Sequence, residues 1–144
     1  MLNIHEQTLF IVDDEPLIVK ALEKKLTQLG YTNLKTFESG VDCIHSLAEN
    51  PFVVLLDYQM DDLNGFEVLR KIKRYNPNTY VIMMSSQNDV SKAVETLKFG
   101  AFDYLVKGAD DTKKLTNTLE RIFKIEEKIL APRESLFAKL FHLF

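Results

Sequence analysis

The sequence predicts an α/β fold: a doubly wound, five-stranded parallel sheet with helices on both faces. Three observations lead there. Short apolar runs of strand length alternate five times with longer segments of helical periodicity, the pattern of strands joined by helical crossovers. One run, Phe52-Val53-Val54-Leu55-Leu56, is apolar at every position, as a strand covered on both faces should be. Three runs also stop in charge: Phe10-Ile11-Val12 meets Asp13-Asp14-Glu15, the central run meets Asp57, and Tyr104-Leu105-Val106 meets Lys107. An unpaired charge is costly inside a core, so each must emerge at a rim. Right-handed crossovers leave few topologies. Periodicity alone does not set the strand order. The carboxylates favour 2-1-3-4-5, because open α/β sheets bind ligands beyond the strand carboxyl ends, where the winding reverses. In that order the reversal lies between the strands ending in Asp13-Asp14 and Asp57.

Each element has its own signal. Thr8 to Val12 reads as the first strand. Ile18, Leu22, Leu26 and Leu29 then share one helical face, with Pro16 in the first turn and Gly30 as the stop. Thr32 to Phe37 is a second strand, less apolar and so nearer an edge. Ser39 suits the N-cap of a helix over about 40–49. Pro51 punctuates before the central strand. Asn64-Gly65 opens a helix carrying Phe66, Leu69 and Ile72, and Asn76-Pro77-Asn78 is a turn. Tyr80 to Met84 is the fourth strand. Val90, Ala93, Val94 and Leu97 form a helical stripe that stops at Gly100. Phe102 to Val106 is the fifth strand, and Asp110 begins the last helix.

The totals are those of one globular domain. The chain has 144 residues, 46% apolar and 27% charged. A net charge of −3 gives no support for a nucleic-acid surface, and the tightest basic cluster, Lys71 to Arg74, lies on a helical pattern as a solvated face. Cys43 is the single cysteine, which excludes a disulfide framework and reads as a small packed residue. No apolar run approaches a membrane span and no signal peptide is read at the start, so the expected location is the cytoplasm, with no membrane partner.

Carboxylates from Asp13, Asp14 and Asp57 converging at one rim repel one another and call for a cation. Magnesium, or manganese, suits an all-oxygen set next to phosphate, and no cysteine or histidine is placed to favour zinc. Asp57 can also act as a nucleophile, since carboxylates form acyl phosphates. Lys107 offers charge to phosphoryl oxygens, and Ser85, ending the fourth strand, offers a hydroxyl. Each has a plainer alternative. Asp13 and Asp14 could cap the helix at Pro16, Asp57 could be a turn residue, Ser85 and Ser86 loop serines, and Lys107 a solvated strand end. All fall at strand carboxyl ends, a coincidence that the plainer readings leave unexplained.

Four stretches resemble the receiver domain of two-component response regulators: Ile11-Val12-Asp13-Asp14-Glu15-Pro16; Val54-Leu55-Leu56-Asp57-Tyr58-Gln59-Met60, with Gly65 eight residues after Asp57; Val81-Ile82-Met83-Met84-Ser85; and Gly100-Ala101-Phe102-Asp103-Tyr104-Leu105-Val106-Lys107. The resemblance covers about residues 7–128. It implies a flavodoxin-like fold and a phosphorylation switch rather than an enzyme, one that catalyses only its own phosphorylation and dephosphorylation. Asp57 would take phosphate from a sensor histidine kinase or a phosphotransfer protein. Asp13 and Asp14 would hold magnesium together with Asp57 and the backbone carbonyl of Gln59. Ser85 and Tyr104 would switch, Lys107 would pair with the phosphoryl oxygens, and the fourth helix, fifth strand and fifth helix would carry the output. Tyr58, Gln59 and Gln87 would tune dephosphorylation. Tyr104 could instead be a static edge aromatic.

The sequence departs from the family in places. Gly108 stands where proline commonly follows the lysine, which predicts a looser aim for Lys107. Asp61, followed by Asp62, replaces a proline four residues after Asp57, and Ser86 replaces a usual alanine or glycine. Residues 1–130 read as the receiver and 131–144 as an apolar tail. The last helical pattern, Leu115, Leu119, Ile122, Ile125 and Ile129, runs past a usual receiver until Pro132 breaks it. Leu136, Phe137, Leu140, Phe141 and Phe144 then form a stripe that could dock on its own domain, mediate a homodimer, or begin an output region. A homodimer through the fourth helix, fifth strand and fifth helix is a further option, and the segment itself has no room for a DNA-binding domain. Other readings are a phosphorylation-independent binding module, an aspartyl-phosphate phosphatase and a flavin carrier. The phosphatase usually needs an aspartate where Glu15 stands, and the flavin carrier needs a Ser/Thr/Gly-rich loop that is missing after the first strand.

Overall fold

A computed structural model describes residues 2–108 and 110–142, with the backbone alone for 133–135 and 142. Five strands, β1 (Leu9–Val12), β2 (Leu34–Phe37), β3 (Val53–Asp57), β4 (Tyr80–Ser85) and β5 (Asp103–Val106), form one parallel sheet in the order β2-β1-β3-β4-β5. The helices are α1 (Pro16–Gln28), α2 (Gly40–His45), α3 (Gly65–Tyr75), α4 (Val90–Lys98) and α5 (Asp111–His142). This is the predicted doubly wound order.

Alternation along the strands splits the core between two faces. Leu9, Ile11, Leu55, Ile82 and Met84 meet Val19, Leu22 and Leu26 of α1 and Leu115, Leu119 and Ile122 of α5. Phe10, Val12, Val54, Leu56 and Met83 meet Cys43 of α2 and Val68, Leu69 and Ile72 of α3. Strands β1 and β3 are therefore buried at every position, which is why their sequences are continuously apolar. The edge strand β2 is only half-buried, as its mixed composition predicts.

The local signals act as read. Pro16 occupies the first turn of α1, and Gly30 and Gly100 take positive φ of 97° and 107° just beyond α1 and α4. Ser39 accepts the Asp42 N–H and Asn64 accepts the Glu67 N–H, capping α2 and α3. Cys43 is fully buried, and burial pushes its thiol up to about 12, so it is an inert packing residue.

Two expectations are corrected. The helix over 40–49 stops at His45; a 3-10 turn, Leu47–Glu49, follows and ends at Asn50, which takes a left-handed φ of 55°. The helical stripe read over Val90 to Leu97 is present and stops before Gly100, and it faces outward: Val90, Val94 and Leu97 are 73%, 52% and 45% exposed, while Thr96 turns inward and satisfies its hydroxyl on the Ala93 carbonyl. Periodicity showed an apolar face but not whether this chain covers it. Finally, Pro132 lies inside α5 rather than breaking it. The proline removes the N–H that would reach the Lys128 carbonyl, but residue 128 is exposed there and water can serve that carbonyl. Ile125, Ile129, Leu136, Phe137, Leu140 and Phe141 are exposed along this extension. Phe144 of the predicted stripe lies outside the described residues.

Candidate functional site

The sheet brings the strand-end charges to one rim. β1 and β3 are neighbours, so Asp13 and Asp57 emerge side by side; β5 approaches through β4, where the Lys107 N–H donates to the Ser85 carbonyl at 2.8 Å. Carboxylate oxygens of Asp13, Asp14 and Asp57 lie within 4.8 Å of one another. Asp13 and Asp57 are buried and Asp14 half-buried.

Lys107 bridges the two buried carboxylates. Its Nζ lies 2.7 Å from Asp13 Oδ2 and 3.1 Å from Asp57 Oδ1. Burial works to lower the lysine pKa, but its bonds and charge attraction to the two aspartates prevail and raise it. Asp57 moves the other way from an ordinary carboxylate. Burial, then repulsion from Asp13, pushes it up to about 6, against the lowering effect of Lys107 and of the Gln59 N–H. Nothing lies within 4 Å of the space a Cβ at Gly108 would fill.

The Asp13 carboxylate has two partners. Its Oδ1 accepts the Glu15 N–H at 2.9 Å, turning the chain from β1 into α1, while its Oδ2 holds Lys107. The N-cap position itself belongs to Glu15, which makes no side-chain cap. Asp14 Oδ2 accepts the Asp61 N–H at 3.1 Å.

The loop between β3 and α3 is closely built. The Gly65 N–H donates to the Tyr58 carbonyl at 2.7 Å, and a Cβ at Gly65 would collide with the Asp57 carbonyl oxygen and come within 2.7 Å of Tyr58 Cα. That contact is the physical reason for glycine at this spacing. Asp62 accepts the N–H groups of Gly40 and Val41 at 3.2 and 3.0 Å, so the loop caps α2. Burial works to raise the Asp62 pKa, and these amides with that of Leu63 outweigh it and lower it.

On the other side of the rim, Gln87 is a hub. Its N–H donates to the fully buried Ser85 Oγ at 3.1 Å, its carbonyl accepts the Tyr104 hydroxyl at 3.1 Å, and its Oε1 accepts from Lys92 Nζ at 2.9 Å. Lys92 also lies 5.0 Å over the Tyr58 ring. Ser86 donates to Gln59 Oε1 at 3.3 Å, joining the two loops. Sequence reasoning singled out Ser85, Tyr104, Gln59, Tyr58 and Gln87 but missed Lys92 and the capping role of Asp62. Lys92 carries no motif, and Asp62 was visible only as added charge.

The donor set fits a hard divalent cation: carboxylate oxygens alone, close together, three of them against a single lysine. Among the described residues no helix is long and apolar enough to cross a membrane.

Comparisons with known proteins agree with this geometry. The transcriptional regulator NtrC of Escherichia coli K12 is 38% identical over 102 residues, which is 70% of this chain and 22% of that protein. The regulator ZraR of Salmonella typhimurium is 36% identical over 114 residues, 78% of this chain and 25% of that one. The chain thus spans about a quarter of the length of these relatives. A receiver domain protein from Clostridium thermocellum superposes with a TM-score of 0.78 at 26% identity, covering 85% of this chain and 98% of that one. A chain of the CheX-CheY-BeF3-Mg complex from Borrelia burgdorferi gives 0.76 at 27% identity, covering 81% of this chain and 89% of that one. Residues 9–120 match the family model described as the response regulator receiver domain. The chain belongs to the receiver domain family of two-component response regulators.

Proposed function

We propose that this receiver accepts a phosphoryl group on Asp57 in a magnesium-dependent reaction and relays the change to its α4–β5–α5 face. The observation that carries the reading is the meeting of Asp57, Asp13, Asp14 and Lys107 at one rim. A carboxylate oxygen of Asp57 attacks the phosphorus of a phosphohistidine on a sensor kinase or phosphotransfer protein. The O–P bond forms as the P–N bond breaks, and the departing imidazole takes the bonding pair and a proton from water. Asp13, Asp14, Asp57 and the Gln59 carbonyl would hold magnesium or manganese, which when bound would supply positive charge to the phosphoryl oxygens. Lys107 is freed from Asp57 to meet those oxygens.

Ser85 gives up the Gln87 N–H when its hydroxyl turns to the phosphoryl group. Because the Gln87 carbonyl also holds Tyr104, that movement reaches the aromatic ring directly. Tyr58, Gln59 and Gln87 lie around the mouth, where they control the approach of water and hence the lifetime of the phosphate. The exposed residues Val90, Val94 and Leu97 give the output face its apolar contact, with a homodimer as one use of it. The relatives' longer chains support a regulatory output joined to this segment, and the domain fits the cytoplasm, where such kinases present their phosphohistidines.

Incubation with acetyl phosphate and magnesium tests the reading. Wild type should gain a hydroxylamine-sensitive phosphate that Asp57→Asn does not. Loss of labelling with continued binding of an output partner would favour a phosphorylation-independent module. Catalytic turnover of added phosphomonoesters would favour a phosphatase.

A further inference from the structure

Lys92 stands where a cation gains least. It lies in the first turn of α4, where the helix already presents its positive end. Its main-chain N–H is fixed there, donating to the capping carboxylate of Asp89 at 3.1 Å. From this anchored base the half-buried side chain reaches two loops at once. Its Nζ donates to Gln87 Oε1 at 2.9 Å and lies 5.0 Å over the Tyr58 ring. Gln87 is thus held three ways: its side chain by Lys92, its N–H by Ser85 Oγ and its carbonyl by the Tyr104 hydroxyl.

We infer that Lys92 is a positioning residue that pins Gln87 in its resting place and so sets how readily Ser85 turns to a phosphoryl group on Asp57. The inference rests on the phosphorylation reading of Asp57. Turning the Ser85 hydroxyl breaks its bond with the Gln87 N–H and frees the loop between β4 and α4 to move. Lys92 opposes that movement through the side chain of the same residue, with the Tyr58 ring as its second hold. A contact made in the resting arrangement alone lowers the population that can hold the phosphoryl group, and so weakens apparent binding there.

Calorimetric titration with beryllium fluoride in saturating magnesium tests it, since beryllofluoride on a carboxylate stands in for the phosphoryl group. Lys92→Met keeps the length of the side chain and removes its charge and donors. It should bind about three- to tenfold more tightly than wild type, the scale of one hydrogen bond to a charged group. In a Gln87→Ala background the same substitution should change affinity by less than about twofold, because the restraint acts through that side chain. Equal or weaker binding by Lys92→Met, or an undiminished gain in the Gln87→Ala background, overturns the inference while leaving the phosphorylation reading intact. If wild type binds beryllofluoride no more tightly than Asp57→Asn, the phosphorylation reading fails and the inference with it. Hydrogen exchange gives a readout that needs no ligand. The Gln87 amide should exchange at least threefold faster in Lys92→Met than in wild type, with the amides of β3 unchanged, and equal Gln87 rates overturn the inference.

Discussion

Lys107 places its ammonium 3.1 Å from Asp57 Oδ1, yet the Asp57 pKa still stands at about 6, above its ordinary 3.8. Burial and the neighbouring Asp13 outweigh the lysine. The proposed phosphoacceptor is therefore held in a state that favours arrival of positive charge or loss of its own.

That imbalance makes stability depend on pH. A carboxyl whose folded pKa is raised favours the fold below its unfolded value and loses that contribution as pH rises through the folded value. Without divalent cations, Asp57→Asn should raise the melting temperature above about pH 6, and the gain should shrink toward zero near pH 4. Thermal melts in EDTA across this range check it. A gain that grows as pH falls would contradict the sign.

Removing the bridging cation should have the opposite effect. Lys107→Met leaves Asp13 and Asp57 buried with their repulsion unscreened. The variant should lose roughly 1–3 kcal/mol at pH 8. The Asp57 carboxyl carbon, followed by NMR, should titrate higher than in wild type.

Two glycines should respond in opposite directions to alanine. At Gly65 the new methyl would strike the Asp57 carbonyl and the Tyr58 backbone, so Gly65→Ala should cost about 1–3 kcal/mol and slow labelling of Asp57. At Gly108 nothing lies within 4 Å and φ is not positive, so Gly108→Ala should stabilise by about 0.4–1 kcal/mol. Chemical denaturation with unchanged m-values measures both.

Tyr104→Phe deletes the hydroxyl that the Gln87 carbonyl accepts at 3.1 Å. The expected cost is about 1 kcal/mol or less, with faster amide exchange in the loop after β4 and Asp57 still open to phosphorylation. Unchanged exchange there would separate Tyr104 from the hub.

Much of the fold was legible because its signals are local. Burial of β1 and β3 on both faces wrote continuous apolar runs, and Ser39, Asn64, Gly30 and Gly100 marked helix ends through chemistry confined to a few residues. The acidic rim was legible because charge at the end of a buried strand has one direction to go. The contacts that build the site from afar were not. Asp61 serves through its backbone, which no side-chain pattern reports, and Lys92 reaches the loop residues Gln87 and Tyr58 from α4. The outward turn of the α4 stripe depends on what the rest of the chain leaves uncovered. Pro132 misled because helix propensity ignores whether the carbonyl it orphans can reach water.

The central claim is that Asp57 takes the phosphoryl group. Its most direct measurement is to load the protein with acetyl phosphate and magnesium, reduce the acyl phosphate with borohydride, and locate the altered residue by peptide mass spectrometry. The account predicts modification at Asp57 alone, dependent on the divalent cation. Modification at Asp13 or Asp14, or none in a protein that binds the cation, would contradict it.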